Sequence, residues 1–142
     1  MEYESNSQIS CYVLDASSLI EIEGSNGKGL KSLPEYPGKW LVVPSKVFKE
    51  VNSKKAPKET KEWLNNGKSS SFSCDDENRL YMRLRVSESA LDDADIQGIV
   101  IAYHRKGIYV VDDVPAILVA QKLGIRIMNY KQFLENIRPH LL

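Results

Sequence analysis

The chain has 142 residues, 42% hydrophobic and 27% charged, which supplies one compact core and leaves little room for a second. Its 19 lysines and arginines balance 19 aspartates and glutamates, and that neutrality argues against a uniformly basic nucleic-acid-binding surface while leaving room for an acidic site that acts on nucleic acid. Two cysteines without Cys-x-x-Cys spacing argue against a disulfide scaffold and a structural zinc site, and no apolar stretch reaches spanning length, so the expectation is a cytoplasmic protein without a membrane partner.

The reading is one domain over 1–142, with the polar residues 1–10 as a flexible N-terminal segment. CYVLD is short and apolar, and predicts a buried strand ending in Asp15. ASSLIEIE opens with hydroxyl residues suited to a helix N-terminus, and a Gly/Ser/Pro-rich loop follows. WLVVP predicts a second strand stopped by Pro44, and SKVFKEV a helix with Val47 and Val51 one turn apart. PKETKEWLNNG reads as a charged helix, SSSFSC as an edge strand or loop, and DDENRLYMRLRV as a helix.

LDDADIQGIVIAYHRKG carries the clearest helical pattern, with Ile96, Ile99, Val100 and Tyr103 at helical spacing and Gly107 in the place of a terminating glycine. IYVVDD is a third strand, AILVAQKL a helix stopped by Gly124, IRIMN a fourth strand and KQFLENI a closing helix. Apolar strands alternating with helices predict an α/β fold with a mostly parallel central sheet.

In such sheets ligands bind beyond the carboxyl ends of the strands. Asp15 ends the first strand, and Asp112 and Asp113 end the third. Asp95 lies in the first turn of the apolar helix, and Glu50 borders the Val47/Val51 stripe. Taken singly, each has an ordinary explanation as a cap, a turn residue or a solvated helix charge. Together they place carboxylates at one sheet edge, where crowding and lost solvation call for a cation. Oxygen ligands suit Mg2+ or Mn2+, ions that orient a phosphate and acidify water, so phosphodiester hydrolysis is the natural chemistry.

YVLDASSLI, VPSKVFKEV, LDDADIQGIVIA and VVDDVPAILVAQKLGIRI, in that order, resemble the successive segments of PIN domains. The resemblance spans nearly the whole chain. It implies a PIN-like three-layer α/β/α fold and a metal-dependent endoribonuclease with Asp15, Glu50, Asp95 and Asp113 as catalytic, metal-holding carboxylates. Asp112 is the alternative ligand beside Asp113, and Ser17 matches a hydroxyl that supports the carboxylates. Val111 stands where the family often has Thr. The resemblance is to archaeal-type PIN domains that mature small-subunit ribosomal RNA and to VapC-type toxins. It therefore implies an RNA substrate, with a ribosomal precursor, or a homodimer and an antitoxin, as partners; the cysteines of a zinc ribbon are not in this sequence.

Lys46, Lys49, Lys54, Lys55, Lys58 and Lys61 surround the Glu50 segment and read as a solvated face or as a track for an RNA backbone. Asp92 and Asp93 read as solvated, His104 as a cation favoured at a helix C-terminus, and Cys11 as a small core residue. The alternative function is a PIN domain without strong catalysis that binds RNA or protein. A phosphatase or receiver-like protein ranks last, because the early acidic pair and late lysine of a receiver are not where they are needed.

Overall fold

A computed structural model describes residues 11–15, 41–47, 49, 58, 69–70 and 75–137. The expected helix after Asp15, with Ser17, lies outside these residues, as do Glu50 and the PKETKEWLNNG helix apart from Lys58. Five strands run parallel in one sheet: β1 (Tyr12–Leu14), β2 (Leu41–Pro44), β3 (Ser69–Ser70), β4 (Ile108–Val110) and β5 (Arg126–Met128). Their order is β3-β2-β1-β4-β5, with Ser69–Ser70, the start of SSSFSC, at the edge beside β2. The helices are α1 (Asp75–Ser87), α2 (Asp93–Arg105), α3 (Val114–Lys122) and α4 (Tyr130–Ile137).

The chain winds outward from β1 in one direction through β2 and β3, and in the other through β4 and β5. The switch point falls between β1 and β4, where the register pairs Val13 with Tyr109 and Leu14 with Val110. This is where such sheets form their crevice. Asp15 extends the pairing, its N–H donating to the Val110 carbonyl at 3.3 Å.

One face of the sheet is covered by α2, which packs on β1, β2 and β4 and is flanked by α1 and α3. Its Ile96, Ile99, Val100, Ile101 and Ala102 are all buried, so the helix is apolar nearly all round, as a central helix must be. The expected stripe ends one turn early: Tyr103 is exposed, its ring edge-on to His104 at 5.1 Å. On the opposite face, Phe133 of α4 is buried against Tyr12, ring centroids 5.1 Å apart in a T-shaped contact. Tyr12 and Val13 point to opposite sides of the strand, so helices cover both faces, which makes the three layers. Among the described residues no helix is long and apolar enough to cross a membrane.

Local chemistry sets the element ends. Asn129 and Gln132 cap α4 reciprocally, each side chain accepting the other's backbone N–H at 2.8 and 3.0 Å. Gly124, at φ +76°, follows α3 as its sequence position suggests. At the end of α2 the expectation needs correcting, because the left-handed residue is Lys106, at φ 53°, and not Gly107. Gly107 serves packing: a Cβ there would lie 2.7 Å from Cys11 Sγ and 3.0 Å from the Cys11 carbonyl oxygen. At the same end Arg105 pairs with the buried carboxylate of Glu77 on α1 at 3.4 Å.

Gly107→Ala is expected to cost about 1–3 kcal/mol by overpacking the start of β1. Urea unfolding checks this, and an unchanged midpoint would rule out the close contact as a constraint.

Candidate active site

The N-terminus of α2 meets the carboxyl ends of β1 and β4. Asp92 is the N-cap, in extended conformation, and its side chain accepts the Asp95 N–H at 2.8 Å. The Asp92 backbone N–H in turn donates to the Asp95 carboxylate. This reciprocal cap fixes Asp95 at the edge of the buried face. Asp92 is exposed as expected of a solvated residue, yet it has this structural task as well. Asp93 is held on the α1 side, 3.6 Å from Arg85 and hydrogen-bonded by Tyr81.

Asp15 is buried, 5% exposed, at the end of β1. Asp113 is the N-cap of α3, its side chain accepting the Ala116 N–H at 3.3 Å. The capping explanation for one member of the acidic pair therefore holds, and it falls on Asp113. Capping leaves carboxylate lone pairs for other partners.

The electrostatics link these segments. Asp95 is pushed from the ordinary 3.8 up to about 7, first by burial and then by the charges of Asp92, Asp113 and Asp15. The hydrogen bond from Asp92 pulls the other way. Asp112 is exposed and is not among the charges acting on Asp95. The structure thus brings Asp15 and Asp113 within electrostatic reach of Asp95, while Glu50 and Ser17 lie outside the described residues. Among the described residues, no three His, Cys, Asp or Glu side chains already form a cluster able to hold a metal ion. The donor chemistry nevertheless fits a hard divalent cation: carboxylates from three segments, one of them destabilised in its charged form by burial and by the neighbouring carboxylates.

Two contributors gave no signal in sequence. Gln97, buried on α2, accepts the Lys46 N–H at 2.7 Å and donates to Ser45 Oγ at 3.0 Å. It satisfies an otherwise unpaired N–H in the helical turn at 45–47, the start of the segment that leads to Glu50, and so ties that segment to the Asp95 helix. Tyr109 of β4 is fully buried, and its hydroxyl sits against Gly98 of α2. Of the lysine group, Lys46 lies over the Tyr81 ring at 5.6 Å, whereas Lys49 and Lys58 are exposed.

A family model described as PIN domain matches residues 11–130. The chain belongs to the PIN domain family. PIN domains are generally nucleases that use divalent metals. Among solved structures, the chain is similar to a PilT N-terminus domain protein from the hyperthermophilic archaeon Sulfolobus solfataricus P2. They share 17% identity over 89% of this chain and 92% of that one, with a TM-score of 0.55, a likeness of fold. No curated protein matches the chain.

The raised Asp95 pKa has a definite sign. The folded chain retains a proton that the unfolded chain releases near 3.8, so metal-free stability falls as pH rises from there to about 7. Melting temperatures in chelator should decline over that window, and Asp95→Asn should flatten the decline and melt higher at neutral pH. Parallel pH curves for the two proteins would refute this. Gln97→Leu should cost roughly 1–3 kcal/mol in urea unfolding, because the Lys46 N–H loses its partner; a neutral substitution would show that the tie is dispensable.

Proposed function

We propose that the protein is a metal-dependent endoribonuclease that hydrolyses RNA phosphodiester bonds with water activated at an acidic Mg2+ or Mn2+ site. The observation that supports the reading is the upward shift of Asp95 by burial and by the charges of Asp92, Asp113 and Asp15, carboxylates from separate segments near the sheet's switch point. A carboxyl held protonated to near neutrality by burial and by neighbouring like charges is suited to taking up a cation with release of its proton.

Asp15, Asp95 and Asp113, with Glu50 from the adjoining segment, would hold the metal, Asp112 being the less favoured member of the pair. When bound, a divalent cation supplies positive charge that polarises a phosphodiester and acidifies water. The carboxylates orient the reacting groups, and the exposed Lys49 and Lys58 provide positive charge for an RNA backbone. Ser17 would steady the Asp15 segment by hydrogen bonding. The protein would act in the cytoplasm, on a ribosomal precursor or as a homodimeric toxin held by an antitoxin. The second reading, a binding module without strong catalysis, draws on Val111 in place of Thr and on the lack of a ready-made three-ligand cluster among the described residues.

Incubation of a labelled structured RNA with protein and Mn2+ is expected to yield discrete cuts. EDTA and Asp15→Asn should each abolish them, the variant remaining folded. Wild-type cutting by Asp15→Asn would sink the mechanism, and a folded protein that neither cuts nor binds Mn2+ would favour the binding module.

A further inference from the structure

Tyr109 is 0% exposed, and its hydroxyl makes no hydrogen bond among the described residues. A buried hydroxyl left without a partner costs about 1–3 kcal/mol, so phenylalanine would serve a purely apolar position better. The surroundings explain where the hydroxyl is directed. Tyr109 pairs in register with Val13, and its ring lies on the α2 side of the sheet, where a Cβ on Gly98 would come within 3.0 Å of the hydroxyl oxygen. Gly98 follows Asp95 by three residues, less than one turn toward the helix interior. Asp15 follows Val13 by two, so it continues the same face of β1. The hydroxyl therefore lies beneath the floor of the acidic site.

Resting on the nuclease reading above, we propose that Tyr109 is a positioning residue whose hydroxyl donates a hydrogen bond through one bridging water to the Asp15 carboxylate and holds it oriented for a divalent cation. Burial keeps the phenol protonated, reinforced by the charges of Asp15, Asp95, Asp92 and Asp113, with Asp15 foremost among them. Toward a carboxylate it is a donor only. Gly98 belongs to the same device, because a side chain there would crowd the hydroxyl at 3.0 Å and shift it. Groups that orient metal ligands in this way typically change metal affinity by about 10- to 100-fold.

The test is Tyr109→Phe, which removes one oxygen and keeps the ring. Melting in EDTA should match or exceed that of the parent, while Mn2+ affinity by calorimetry falls by about 10-fold or more. In an Asp15→Asn background the same substitution should have no further effect on Mn2+ affinity, since the acceptor charge is already gone. Equal Mn2+ affinity in parent and Tyr109→Phe overturns the inference and leaves the nuclease reading intact. Additive losses in the double variant overturn the assignment to Asp15. A collapse of melting temperature makes the hydroxyl structural and also overturns it. A parent chain that binds no Mn2+ overturns both readings together.

Discussion

Gly98 and Tyr109 meet where α2 lies against β4, so closely that a Cβ would crowd the ring at 3.0 Å, and Gly107 meets Cys11 more closely still, at 2.7 Å, where the helix turns into that strand. These two approaches press α2 onto the sheet and set how far its N-terminus reaches over the ends of β1 and β4. An apolar helix buried on nearly every side has no second place to go. The depth of α2 fixes how much water Asp95 loses and how near it stands to Asp15 and Asp113. The acidic edge is thus a consequence of core packing, and Gln97 extends the same packing to the segment that begins at Ser45.

Crowded carboxylates destabilise the metal-free fold, and the protein tolerates this because the stabilising interactions lie elsewhere. Arg105 and Glu77 join α1 to α2 at the end away from the site. Phe133 and Tyr12 seal the opposite face, and Asn129 with Gln132 fixes α4. The first turn of α2 is held by its own cap. Among the described residues, the crowding of like charges on Asp95 falls at the switch point. That separation is usual where a site needs charge that the core would reject.

Asp113 shows why a structural and a functional reading need not compete. Its side chain caps α3, and its charge acts on Asp95. A strand that delivers an aspartate to a helix N-cap places that carboxylate at the crevice, because helix N-termini and strand C-termini share that edge in a parallel sheet. Asp92 repeats the arrangement at α2.

The sequence by itself determined the order of the elements from Asp75 onward, the parallel α/β class, and the positions of Asp15, Asp95 and the Asp112–Asp113 pair at element ends. Period and punctuation are local properties, and a carboxylate after an apolar run is visible without knowing what faces it. Long-range packing, invisible in the chain's local pattern, put β1 beside β4, made Ser69–Ser70 an edge strand, and gave Gly107 its contact with Cys11 while Lys106 takes the left-handed turn. It also decided the parts of Gln97 and Tyr109, whose partners lie 51 and 52 residues away for Gln97 and on another element for Tyr109. A polar residue inside an apolar helix, or a tyrosine inside a strand, has the same local signature whether it fills space or holds a site. The difference lies in which atoms meet it across the core, and that is fixed only when distant segments pack.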